Sequence, residues 1–411
     1  MALSSGSGSG RFCGFPTWVR RQAAAHKKPI TIALLVLGAA GLLFRIWLAR
    51  RSHGSNDINI WNAFCTLIET HHGLGWLYDN QVDFNHPPLI ALLNTALHRL
   101  AAARGWRFDF LFKLPEIGAD TLAGVVVYRS WRARGDLLAP GAFALFCWNP
   151  ASVLVSAHHG NTDPSCAALA LLAAFLVARQ RALWGGLALA AAINVKLIPV
   201  LLIPVLLATL TSRRQAVSFI AALALGALPF VPYVVRHWTG FSAHVLSYRS
   251  YVGPWGITSF LEFLGMHHNF AEIAQRLTKR WTKVGPWVMV LAPLVLAAVA
   301  WWRKRAWTAI ELGAIVCSLF LVLTPGFGVQ YVVYPIPLLF AADVAWATAY
   351  GASAGFFIFV AYYATWTGTQ PYFSNFYPGF PIAAKVFGHV PWLILTVATF
   401  KLLARPWSRE A

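Results

Sequence analysis

Hydrophobic positions in this chain come in long runs. Three of them, residues 30–49, 216–235 and 285–302, are near the ~20 residues that a helix needs to cross a bilayer, and shorter runs recur from end to end. Only 11% of the residues are charged, where a soluble domain carries about 25%. The pattern predicts an all-α polytopic membrane protein, with the bilayer in the place of a soluble core.

Between the runs lie short basic clusters: Arg20, Arg21, Lys27 and Lys28; Arg129, Arg132 and Arg134; Arg179 and Arg181; Arg213 and Arg214; Arg303, Lys304 and Arg305; Lys401 and Arg405. This is the positive-inside pattern, which sets orientation. The first run is too long, and too basic in front, for a removed signal peptide. It reads as an anchored helix with a cytoplasmic N-terminus. Residues 87–108 carry a short apolar stretch and then Arg99, Arg104 and Arg107. Were they to cross, most later clusters would fall outside. Laid flat on the outer face as an amphipathic helix, they return those clusters to the cytoplasm.

Crossings then follow over 110–128, 141–157, 164–178, 183–195, 197–210, 216–235, 285–302, 306–323, 329–346, 351–366 and 390–403. That makes about twelve transmembrane helices with both termini inside, although the pair around Asn194-Val195-Lys196 also fits one long tilted helix. The expected organisation is a basic cytoplasmic segment (1–28), a transmembrane catalytic domain (29–404) and a cytoplasmic tail (405–411). The first outer loop spans 49–109, with juxtamembrane helices, and a second large outer loop spans 236–284. Residues 1–10, MALSSGSGSG, are low in complexity and expected to be disordered.

The net charge of +19 does not mark a nucleic-acid binder, because the basic residues are spread between runs and not gathered on one face. Five cysteines, mostly within apolar runs, have no metal-ligand spacing and read as small hydrophobes.

Candidate chemistry concentrates in one place. Residues 54–90, GSNDINIWNAFCTLIETHHGLGWLYDNQVDFNHPPLI, hold Asp57, Glu69, Asp79 and Asp83, four of only fourteen acids in the chain. Carboxylates at a membrane face can take protons or hold hydroxyls. Asp57 is either a general base for an acceptor hydroxyl or the N-cap of a helix starting near Ile58. In the threading above, Asp57, His86, Lys113, the segment His158-His159-Gly160-Asn161-Thr162-Asp163, Lys196 and Gln330 all fall near outer helix ends.

Each has a plainer account as well. Asp163 before Pro164 is a ready helix cap, and Lys196 is placed either to snorkel or to neutralise a phosphate. Arg50 and Arg51, outside the first helix, either bind phosphate or mark its end. His158 and His159 with Asn161 and Asp163 lack the ligand spacing of a zinc site. Glu116 and Asp120, one turn apart, are too costly to face lipid and should point inward, to Lys113 or an Arg. The break TPGFGVQY at 324–331 needs protein or a wet cavity around it. Tyr248, Tyr251, Trp255, Tyr372 and Tyr377 suit an interfacial aromatic belt, or stacking on sugar.

With these residues in view, the chain from 30 to about 337 resembles the GT-C glycosyltransferases, multispanning enzymes that use polyprenyl-phosphate-linked sugars. Asp57 stands where that superfamily usually places its catalytic acid. HPPL at 86–89 looks like the HPP or YPP segment of protein O-mannosyltransferases, aminoarabinose transferases and dolichyl-phosphate-glucose-dependent glucosyltransferases. HHGNTDP at 158–164 occupies the place of their second outer loop. Asn194-Val195-Lys196 resembles the glucosyltransferases' asparagine-aromatic-lysine turn, and 324–331 a segment of bacterial mannosyltransferase-like members. The chain lacks a tandem-acid signature and a large C-terminal soluble domain, which points away from the oligosaccharyltransferase branch.

The resemblance implies an inverting transferase that moves one sugar from a polyprenyl-phosphate donor to a lipid or glycan acceptor of the cell envelope, at the outer face of the plasma membrane. Asp57, Asp163 and His159 are the catalytic candidates; Lys196, Lys113, Arg50 and Arg51 the donor-phosphate candidates; His86, His158, Asn161 and Gln330 the substrate-binding candidates. No metal or other cofactor is required by this chemistry, and a divalent ion is compatible with it. The rival readings are a lipid-linked glycan polymerase or ligase, and a lipid or anion transporter, which should show inverted repeats that are not evident here.

Overall fold

A computed structural model describes residues 17–71, 73–248, 250–252, 255–266, 268–303, 307–366 and 382–410. The first apolar run forms α1 (Thr17–Arg51). The acidic segment beyond it folds into α2 (Asn56–Thr70), α3 (Leu74–Asn80) and α4 (Pro88–Arg104), and α5 (Phe108–Trp131) follows. Next come α6 (Leu138–Cys147) and α7 (Pro150–Val153), which continues as a π-helical turn over Leu154–His159. Then follow α8 (Asp163–Ala178), α9 (Ala182–Val195), a short 3-10 turn with α10 (Ile203–Ala208), and α11 (Arg213–Gly226). The second large loop holds α12 (Val231–Arg236), α13 (Trp238–Phe241), β1 (Tyr251–Val252) and α14 (Gly256–Gly265). α15 (Ala271–Trp302), α16 (Ala309–Leu323), β2 (Gly326–Phe327), α17 (Ile336–Ala342), α18 (Val344–Trp366) and α19 (Ile382–Glu410) end the chain.

The protein is thus all-α apart from one antiparallel pairing, Tyr251 with Phe327 and Val252 with Gly326. Among the described residues five helices are long and apolar enough to cross a membrane, and the bent pair of α6 with α7 and its π turn makes a sixth, broken at 43°. Shorter apolar helices, α8, α9, α16 and others, pack among them. The long helices form the perimeter and expose residues such as Val36, Leu43, Ile220, Val295 and Trp301, whereas α8, α16 and α17 are buried almost throughout. α9 ends at Val195, and Lys196 is extended, so the two short helices there are separate elements.

The two ends of the bundle differ in chemistry. At one end Lys27 meets Asp136 at 3.1 Å, Arg405 joins Glu311 and Asp343, and Trp307 donates to the carbonyl of Leu402. The basic cluster after α5 lies here. Gln180 bonded to Thr211 brings the clusters beside α9 and α11 to the same end. The opposite end gathers the C-terminus of α1 and the N-termini of α5 and α8, with Lys196 and Tyr331.

Mid-bundle, the break between α6 and α7 would strand carbonyls in an apolar medium. Arg45 of α1, with no exposed surface, answers it by donating to the carbonyls of Phe146 and Cys147. Its guanidinium also meets Asp120 at 3.2 Å and the Ser152 hydroxyl at 3.0 Å, and Ser152 donates to Asp120 at 2.8 Å. Asp120 therefore does point inward to an arginine.

Candidate active site

Two glycine turns nest at the acid-rich end. Gly54 (φ +113°) lies against the carbonyls of His158 and His159, and Gly160 (φ +77°) against Ile58, where a Cβ would collide at 2.4 Å. Positive φ and this close approach both require glycine. The backbone N–H and hydroxyl of Ser55 donate to the carbonyl of His159 at 2.9 and 3.0 Å, clamping the start of α2 onto the π turn.

Ser55 is also the N-cap of α2, its hydroxyl accepting from the Asp57 amide. The capping alternative for Asp57 is therefore wrong: a serine two residues earlier takes that role. The Asp57 carboxylate turns instead toward the second loop. Its Oδ2 accepts from His159 Nε2 at 2.9 Å and from the Asn161 amide. An ionised carboxylate only accepts, so His159 carries its proton on Nε2, and in the neutral ring Nδ1 takes a hydrogen bond from the Tyr362 hydroxyl. Oδ1 of Asp57 has no donor among the described residues, and the side chain keeps about a quarter of its surface open. Burial raises the Asp57 carboxyl. The charge and hydrogen bond of His159, the Asn161 bond and the charge of Lys196 together outweigh it and hold the group below its usual value.

Asp163 opens α8, where Thr162 is the N-cap position and Pro164 follows in the first turn. The expectation that Asp163 caps this helix also fails. Fully buried, it accepts from Lys196 Nζ at 2.9 and 3.0 Å and from the Tyr334 hydroxyl. The N-terminal amide of Ser165 is satisfied by Glu116 at 2.9 Å. Lys196 Nζ lies 5.2 Å from the centre of the Tyr331 ring.

The remaining candidates divide. Lys113 is buried and bound to the carbonyls of Ser52 (2.7 Å) and His53 (3.0 Å), so it ties the chain after α1 to α5. His158 Nδ1 meets the Ser52 hydroxyl at 2.7 Å. Arg50 and Arg51 are exposed at the rim. His86 packs on Trp61 with ring centres 4.4 Å apart, and its buried Nδ1 has no partner. Burial, with the charge of Lys196 adding to it, pushes this imidazole down to about 3, so it is neutral. Gln330 is half-buried in the turn after β2.

Glu69 and Asp79, counted among the loop acids, serve packing: Glu69 meets His98 and Arg99, and Asp79 meets His237. Trp255, expected in an aromatic belt or on sugar, is a core residue. It is 1% exposed, stacked on Phe327 at 4.6 Å and bonded to the carbonyl of Leu321. Tyr248 and Tyr251 are half-exposed, and Tyr372 and Tyr377 lie outside the described residues. Among the described residues no three His, Cys, Asp or Glu side chains gather as metal ligands.

Sequence reasoning missed Tyr362, Tyr334 and Arg45. The two tyrosines sit in apolar stretches where nothing marks a hydroxyl as engaged. Arg45 did carry a signal, because a cation within an apolar run has to be paired.

The arrangement holds one open carboxylate oxygen beside a lysine at one end of a membrane bundle. It can take a proton from a hydroxyl and oppose an anion. Among curated proteins no relative matches the chain. A family model, described as glycosyltransferase family 87, matches residues 84–325, a segment that includes His86, Lys113, His159, Asp163 and Lys196 and begins after Asp57.

Proposed function

The chain belongs to glycosyltransferase family 87, and from that premise we propose that it is an inverting hexosyltransferase that uses a polyprenyl-phosphate sugar. The observation that carries this reading is the half-held Asp57 carboxylate: Oδ2 is fixed by His159 and Asn161, and Oδ1 is left for an incoming hydroxyl. Oδ1 takes the acceptor's proton as its oxygen attacks the anomeric carbon. The bond from that carbon to the phosphate oxygen breaks on the opposite face, its electron pair leaves with the polyprenyl phosphate, and the centre inverts. Lys196, with Arg50 and Arg51 at the rim, opposes the charge that develops on the leaving phosphate. Lys113, occupied by two carbonyls, contributes by holding the loop that carries Asp57. Purified protein incubated with a panel of polyprenyl-phosphate sugars should release polyprenyl phosphate, and no release from any member of the panel would sink the reading.

The pH dependence follows from Asp57. Its base form is present above its lowered pKa, so kcat/KM should fall only as pH drops below the ordinary carboxylate value of 3.8. His159→Phe removes the foremost stabilising partner and leaves the cost of burial, so the acid limb should move upward. An unmoved limb would separate His159 from Asp57.

The same reading takes the shorter apolar helices as further crossings, which brings the total to twelve, with the catalytic end outside and the basic end in the cytoplasm of a plasma membrane. α4 exposes Leu89, Leu92, Leu93 and Leu100, the face of a helix lying against lipid. A cysteine placed at the exposed Val82 should react with an impermeant reagent from outside, and one at Arg132 only from the cytoplasm. Outside labelling at Arg132 would overturn the orientation.

A further inference from the structure

The Asp163–Lys196 pair is sealed on one side and open on the other. Asp163 has no exposed surface, and its two oxygens accept from Lys196 and from the Tyr334 hydroxyl. An acceptor hydroxyl cannot reach it, so a base role is closed to it. The Lys196 side chain keeps 13% of its surface open. An ammonium has three N–H groups; bonding to Asp163 directs it from one side, leaving donor capacity toward the site. A lysine on a flexible four-carbon stem at a helix end would otherwise snorkel away from the bundle.

Two further features bear on how this pair meets an anion. Tyr334 donates to the same carboxylate, and a hydrogen bond to an ionised group draws on its charge. Asp163 is thereby less than a full counter-ion to Lys196. The Tyr331 ring, 5.2 Å from Nζ, walls another side of the ammonium and favours positive charge.

We infer that Asp163, backed by Tyr334, is the positioning residue that aims Lys196 at the donor phosphate, which on arrival becomes the lysine's second anion. The inference rests on the polyprenyl-phosphate reading above and gives Asp163 a role in donor capture, separate from the proton transfer assigned to Asp57.

Farnesyl phosphate, with farnesol as the chain-only control, is the probe. Its affinity for purified full-length protein in detergent is read by tryptophan fluorescence, alongside each variant's melting temperature. Wild type should bind the phosphate more tightly than the alcohol. Asp163→Asn and Lys196→Ala should each weaken phosphate binding by about tenfold or more, and leave farnesol binding unchanged. The double variant should be no weaker than Lys196→Ala alone, because the two act as one unit. Tyr334→Phe, which keeps the ion pair, should weaken phosphate binding by about threefold at an unchanged melting temperature. If Asp163→Asn does not fold, Tyr334→Phe decides alone. Phosphate affinity unchanged in Asp163→Asn or, failing that, in Tyr334→Phe, while Lys196→Ala loses it, overturns the inference and leaves the donor reading standing. Wild type with no preference for the phosphate over farnesol overturns the donor reading itself.

Discussion

Asp57→Asn should lower turnover by at least ~10²-fold while donor binding persists. The substitution is nearly isosteric. Its carbonyl oxygen can accept from His159 and Asn161 as Oδ2 does, which puts the new amide group where Oδ1 stood. The local fold then survives and only the capacity to take a proton is lost. Since Ser55 caps α2, no capping energy is at stake, and stability should change by less than ~1 kcal/mol. Steady-state transfer rates beside farnesyl phosphate affinity make the comparison. An Asn variant that transfers sugar at the wild-type rate would remove Asp57 as the base.

The largest loss of stability is expected from Arg45→Leu. This substitution strands the Asp120 carboxylate in the bundle core and frees the carbonyls of Phe146 and Cys147 at the break between α6 and α7. Removing one partner of a buried pair typically costs about 3–5 kcal/mol, because the other charge remains buried and uncompensated. Arg45→Leu combined with Asp120→Leu should recover part of the loss, since it removes the stranded charge although not the unmet carbonyls. Thermal unfolding of the three proteins in one detergent tests this. Equal melting temperatures for wild type and Arg45→Leu would show that the network does not hold the break together.

Much of this organisation was legible from the order of residues. The long apolar runs and the basic clusters between them reflect the bilayer, which acts on every span separately, and so they give membrane class and a bundle with unlike ends. Asp57, His159, Asn161 and Lys196 were singled out as polar residues at helix ends, and they do meet. What stayed hidden was pairing over distance. Nothing near Asp163 reveals that its partners are Lys196 and Tyr334, and its position before Pro164 mimics a cap. Tyr362 meets His159 from 203 residues away, within a run whose hydropathy conceals a working hydroxyl. Trp255 was misread because interface tryptophans and core tryptophans look alike without the Phe327 ring that covers this one.

The π-helical turn at Leu154–His159 has a consequence for which sequence changes this end of the bundle can absorb. A π turn accommodates one residue more than an α turn, so deleting any single residue between Leu154 and Ala157 offers the chain a regular helix in its place. That helix would be locally more comfortable. It would also rotate everything after it by about 100°, the angular step of one helical residue. His159 would swing off Asp57, and the Gly160 turn would lose its seat over Ile58. Length here is thus as constrained as chemistry: insertions and deletions that the polar segment 133–137 could absorb should be excluded from these six positions, and the extra residue is what lets two consecutive histidines serve different loops.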